Sequence, residues 1–226
     1  MLGIFFAHIL DNLRCLLYNN KRYITNVMER KDIMPPKAKI TREEIIATAV
    51  ELVRQNGESA LNARNIAHSL GCSTQPIFSN FSNMDELRAA VKEAADTMYR
   101  NYLATDMSAG KFPPYKASGM AYIRFAREEK ELFKLLFMCD RSHETVRDDR
   151  ESIRPIIEII KKNLGLDEEK AYFFHMEMWV YVHGIATMIA TSYLNWDDEM
   201  ISSIVTDAYE GLKKRYLEVS HAGDIN

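Results

Sequence analysis

Nineteen consecutive residues, Met178 to Trp196 (MWVYVHGIATMIATSYLNW), contain no Asp, Glu, Lys or Arg. That length admits a membrane span. Yet His183, Gly184, Thr187, Thr191, Ser192 and Asn195 dilute the stretch and acidic residues flank it, so burial against protein is the expected outcome. A helix apolar nearly all round must be covered on every side. One chain of 226 residues has too few helices to do that while also enclosing a pocket, which points to dimerisation. Gly184, Ala186 and Ala190 would permit a second copy to approach closely, or would serve ordinary packing within the chain.

The rest of the chain is also helical in pattern. With 9 Gly and 6 Pro it has few turns for its length, and no strand-like alternation or hairpin signal stands out. Thr41-x-x-Glu44 has capping-box spacing, and the apolar residues from Ile45 to Val53 recur at helical intervals until Gly57. Short helices are expected over about 62–70 and 74–81. A longer one starts at Asn83-x-x-Glu86, with a stripe of Leu87, Val91, Ala94, Ala95, Met98 and Tyr102. After Phe112-Pro113-Pro114, helices are expected near 115–128, 130–138, 152–164 (with Pro155 in its first turn), 168–194 and 198–219. The fold class is all-α.

Net charge is −3, but it is unevenly distributed: +2 over residues 1–33, 0 over 34–90 and −5 over 91–226. No strongly basic composition marks a non-specific nucleic-acid coat protein, so any DNA binding must rest on a few well-placed cations. Cys15, Cys72 and Cys139 form neither a disulfide framework nor a zinc pattern, which fits a reducing, cytoplasmic home. Residues 1–33 make a poor signal peptide and a poor span. Because Met34 opens a segment that resembles a natural start, they are expected to be an upstream extension, the alternative being an amphipathic helix docked on the body.

Asn62 to Phe78 (NARNIAHSLGCSTQPIF) has the spacing of a helix-turn-helix. That motif requires a small residue where two helices cross, a residue tolerant of positive φ in the turn, and apolar residues facing the joint. Ala67, Gly71, and the set Ile66, Leu70, Cys72 and Ile77 meet those requirements. Ser73, Thr74, Gln75 and Ser79 are left on the outer side of the second short helix, where Gln75 can pair with an adenine edge. Spacing alone leaves DNA binding and a purely structural helix pair equally open.

From Thr41 to about Leu87 the chain resembles the N-terminal domain of the TetR/AcrR family of bacterial transcriptional regulators. Ile66-Ala67, Leu70-Gly71, Gln75-Pro76, Phe78, Phe81 and Asp85-Glu86-Leu87 fall in register. The resemblance implies a DNA-binding domain over 34–88 and a helical regulatory and dimerisation domain over 89–226. It also implies a homodimer on a palindromic operator, released by a small-molecule effector, with no cofactor. Carried over as DNA-facing are Arg64, Thr74, Gln75, Pro76, Phe78, Ser79, Asn80 and Met84. Arg64, Thr74, Gln75 and Pro76 are assigned to base edges and thymine methyls; Asn80 and the backbones of Phe78 and Met84 are assigned to phosphates. Phe78 stands where the family usually has tyrosine, and Met84 where it usually has lysine. Each change removes a phosphate contact, leaving Arg64 as the motif's main cation, with Lys37, Lys39 and Arg42 before or at the first helix. For Phe78, core packing is the competing reading; for His68, a solvated helix position is expected.

The middle helices are dense in aromatic residues and methionine. Met98, Tyr102, Tyr122, Phe125, Phe137, Phe174, Met178 and Tyr181 are candidate pocket residues for the effector, ordinary core being the alternative. No P-loop, G-x-G-x-x-G, H-E-x-x-H or G-x-S-x-G motif is present, and His175 with Glu177 or His183 lacks a third metal ligand, so no enzyme and no metal site are expected. Cys139 beside Asp140 is a poor redox sensor, because a neighbouring acid raises a thiol pKa. The alternative function is a helical protein-interaction module that has lost specific DNA binding.

Overall fold

Thr41 starts the first helix as its spacing predicts: its hydroxyl accepts from the Glu44 amide at 3.1 Å, and the Glu44 carboxylate accepts from the Thr41 amide at 2.8 Å. The computed structural model describes residues 40–140 and 146–223. The expected extension 1–33, together with Cys15, Lys37 and Lys39, lies outside them. Among the described residues every regular element is helical.

Helix α1 (Arg42–Asn56) buries Ile45, Ala49, Val50 and Val53 and stops at Gly57, whose φ of 77° continues no helix. A one-turn 3-10 segment (Glu58–Ala60) leads to α2 (Ala63–Ser69), capped by Asn62, whose side-chain oxygen accepts from the Asn65 amide at 3.0 Å. Gly71 has φ 62°, the conformation the turn requires, and α3 (Gln75–Asn80) follows. Asn83 caps α4 (Met84–Ser108), accepting from the amides of Asp85 and Glu86. The helix runs unbroken through residue 88, so the two expected domains are joined by a helix rather than a linker.

Five further helices complete the described chain: α5 (Pro114–Glu128), α6 (Lys130–Phe137), α7 (Val146–Leu164), α8 (Glu168–Ala190) and α9 (Asp198–Gly223). Asp167 caps α8 through the Lys170 amide, and Asp197 accepts from the Met200 amide at the start of α9. α5 is central, packed against α4 on one side and α8 on the other; α1 lies on α4 and α6, and α8 also meets α7 and α9. Buried apolar residues form one continuous core from Ile45 to Val205.

Three boundaries differ from expectation, one being the end of α9, at Gly223 rather than 219. α7 begins at Val146, so Pro155 lies inside the helix rather than in its first turn. Pro155 is exposed, and on that face water can meet the carbonyl its missing N–H leaves free. α8 ends at Ala190 rather than 194, although the uncharged stretch continues. The amide of Ser192 bonds to Ile189 O and that of Tyr193 to Met188 O, the paired pattern of a Schellman stop, with Ser192 at φ 61°. No helix of the described residues is long and apolar enough to cross a membrane.

A candidate DNA-reading head

The joint between α2 and α3 is apolar, as the motif requires: Ile66, Ala67 and Ile77 are buried, and Leu70 and Cys72 pack against the same core. Burying that side commits the opposite side of α3 to solvent. Gln75 and Ser79 are exposed, Thr74 and Pro76 are half-buried at the start, and Phe78 is 51% exposed, which excludes the core-packing reading of its ring. Arg64 projects from α2 into solvent and forms no ion pair among the described residues. His68 is exposed, as expected. The structure therefore brings Gln75, Phe78 and Ser79 onto one open face, with Arg64 on the neighbouring helix.

Other expected contacts are engaged internally. The Asn80 amide donates to Pro76 O at 2.8 Å and to Ile40 O at 3.4 Å. The Ser79 hydroxyl donates to Gln75 O at 3.0 Å. Met84 is half-buried and packs on the core, so its side chain is only partly available to a ligand. Arg42 does not project as a free cation. Its Nη1 donates to Asn80 O at 2.7 Å and Glu86 Oε1 at 2.9 Å, and its guanidinium lies 4.0 Å from the Phe81 ring centroid. Glu86 also accepts from the Ser82 amide, and that bond together with Arg42 holds its carboxyl below the usual range. Arg42, Asn80 and Glu86 thus clamp α1, the end of α3 and the start of α4, and fix the angle at which α3 is presented. No local signature reveals this clamp, since Arg42 and Glu86 are 44 residues apart.

The eight pocket candidates do not converge on one site. Tyr102, Tyr122, Phe125 and Phe137 belong to a cluster centred on Tyr99, packed ring on ring with centroids 5.0–5.7 Å apart. Met98 packs beside them on α4. Phe174 belongs to a second cluster with Tyr115, Tyr209 and Tyr216. Met178 is buried. Tyr181 lies outside both: the buried arc of α8 is centred on Met178, Val182 and Ile189, and Tyr181 falls at its margin, 42% exposed. It lines an open apolar groove between α8 and α9 with Phe173, Val180, Ala208 and Leu212.

The outer side of α8 carries Phe173, Val180, Tyr181 and Met188, all exposed. Gly184 sits on this side with open space where a side chain would be, whereas Ala186 and Ala190 are buried within the chain and serve its own packing. The α8 histidines each meet a tyrosine of α5: Tyr115 Oη is 3.2 Å from His175 Nδ1, and Tyr122 Oη is 2.8 Å from His183 Nδ1. Among the described residues no group of three His, Cys, Asp or Glu is placed to hold a metal ion.

This geometry defines a class: a helix-turn-helix head on a larger all-helical body. Residues 115–208 match the family model of the tetracyclin repressor-like C-terminal domain. An uncharacterized HTH-type transcriptional regulator of Mycobacterium tuberculosis is 22% identical over 174 residues, covering 75% of this chain and 78% of that protein. A TetR-like transcriptional regulator from a Rhodococcus species shares the fold at 15% identity and TM-score 0.56, over 82% of this chain and 99% of that one. A putative TetR-family transcriptional regulator from Vibrio parahaemolyticus does so at 17% identity and TM-score 0.52, over 75% and 96%. The chain is thus similar to TetR-family transcriptional regulators in its C-terminal half and in its overall fold.

Proposed function

We propose that this protein is a sequence-specific repressor that binds a palindromic operator as a homodimer and is released by a small molecule. The observation that carries the reading is the open face of α3. A short helix following a positive-φ glycine turns Gln75, Phe78 and Ser79 outward, with Thr74 at its start and Arg64 alongside. Short side chains at the N-terminal end of such a helix let its backbone approach a major groove, where Gln75 pairs with an adenine edge. Arg64 reaches a base edge from the neighbouring helix, and the backbone near Phe78 and Met84 meets phosphates.

The dimer is formed by α8 and α9. The exposed residues Phe173, Val180, Tyr181 and Met188 make an apolar stripe interrupted by Glu177, which is paired with Arg215, and open space at Gly184 admits the second copy. Two-fold symmetry then presents two α3 helices to successive major grooves. The effector acts on the aromatic interior between α4, α5 and α6, entering past the half-buried residues Met98, Tyr102 and Phe137. Because those rings are packed against one another, a ligand binds only by shifting them, and whichever spacing of the heads it favours becomes populated. Binding and release take place on DNA in the cytoplasm.

Selection of duplexes from a random DNA pool by the full chain tests this reading, followed by a footprint on the DNA flanking its own coding sequence. The expected product is a site with two-fold symmetry. Val180→Glu should give a folded monomer by sedimentation and abolish protection of the full site. A wild-type chain that enriches no duplex overturns the reading in favour of a helical protein-interaction module.

A further inference from the structure

We propose that the ring of Phe78 is a specificity-determining residue that recognises the C5-methyl of a thymine beside the base contacted by Gln75. This rests on the DNA-reading role of α3 argued above and assigns to it a contact that role alone does not specify. α3 reads Gln-Pro-Ile-Phe-Ser-Asn and carries no charged side chain. Its largest outward group is Phe78, 51% exposed, which makes no ring contact among the described residues. A phenyl ring has no hydroxyl to donate to a phosphate, so the ring gains by contact only with an apolar surface.

The edges of base pairs in the major groove offer hydrogen-bond donors and acceptors and a single apolar group, the thymine methyl. Gln75 lies three residues before Phe78 and therefore on the same face, one turn earlier. A glutamine paired with adenine and a phenyl ring against a methyl read neighbouring base pairs by complementary chemistry. With so few cations on the head, such apolar discrimination supplies what phosphate contacts do not. The ring is placed to do this because Ile77, its neighbour, is buried at the joint and the Arg42–Asn80 clamp closes the end of the helix.

The test uses the full chain and the best duplex it selects from the random pool. Each thymine is replaced in turn by deoxyuridine, which removes only the methyl. Wild type should lose about four-fold in affinity per half-site at one position, the weight of one methyl taken out of contact. In Phe78→Ala that position should become insensitive to uracil, and Phe78→Leu, which keeps an apolar side chain, should retain part of the discrimination. Phe78 is half exposed, so both variants should fold, with helical content and midpoint of unfolding checked alongside. Uracil tolerated everywhere by wild type, or an unchanged uracil penalty in Phe78→Ala, overturns the inference while the DNA-reading role stands. Failure of wild type to select any duplex overturns both.

Discussion

Arg54 Nε donates to Glu129 Oε2 at 2.7 Å, joining the last turn of α1 to the corner between α5 and α6. The same corner reaches the other end of the body. Arg127 donates to Asp198 Oδ1 at 2.5 Å and Trp196 O at 2.9 Å, and the Lys130 ammonium to the Ser192 hydroxyl at 2.8 Å. Glu129, Arg127 and Lys130 at this corner thus link Arg54 of α1 to the loop between α8 and α9 and to the first residue of α9. Only 13% of the Glu129 side chain is exposed, so Arg54→Ala strands a carboxylate in a poorly hydrated site. The expected loss is on the order of 2 kcal/mol of stability, measured by urea unfolding. The double variant Arg54→Ala/Glu129→Gln should recover part of it, because no unpaired charge then remains.

His175 predicts a pH dependence. Burial pushes its imidazole down to about 4, and the nearby Tyr115 hydroxyl suits a neutral ring. The unfolded chain binds this proton near the usual 6.5 while the folded chain resists it, so stability is full above about 6.5 and declines as pH falls toward about 4. The contribution across that window is on the order of 3 kcal/mol. Unfolding titrations at several pH values should show a flatter acid limb for His175→Gln than for wild type. Parallel limbs would mean that another group carries the effect.

Ser192 occupies a backbone conformation that L side chains resist, with φ 61° in the stop that ends α8. Replacing it with glycine removes that strain and leaves the two stopping bonds intact, at the expense of one exposed bond from Lys130. Ser192→Gly should therefore stabilise the protein by about 0.5 kcal/mol, read as a rise in thermal midpoint. A fall in midpoint would show that the Lys130 bond outweighs the strain.

Helix starts were legible because each depends on a few adjacent residues. Thr41 with Glu44, Asn83, Asp167 and Asp197 accept from amides two or three residues onward, and the side-chain pattern alone identifies them. Gly71 was legible for the same reason, since the turn requires a positive φ. The end of α8 was not: Ser192 is an uncommon residue for its conformation, and the apolar stretch continues past it. The start of α7 was obscured by Pro155, which reads as a first-turn residue but is tolerated deeper in the helix on an exposed face. Contacts between distant residues, Arg42 with Glu86 and Arg54 with Glu129, leave no periodic trace in the sequence. Tyr181 shows the limit for pockets: an aromatic residue at core-like spacing lies on the outside because its helix needs fewer buried positions at that margin.

Met84 is the first residue of α4, half-buried at the edge of the reading head, and the head's cations are few. Arg42 is held by Glu86, and Arg88 is paired with Asp85, which leaves Arg64 as the cation of the helix-turn-helix free of ion pairs among the described residues. Affinity for DNA should therefore fall only gently with salt. Met84→Lys adds an ammonium whose stem can follow the path of the methionine while its charge reaches the phosphates. The slope of log affinity against log salt should steepen by about 0.9 per subunit between about 50 and 200 mM salt. An unchanged slope would place the start of α4 away from the phosphate backbone and leave Arg64 as the helix-turn-helix cation on which the salt dependence rests.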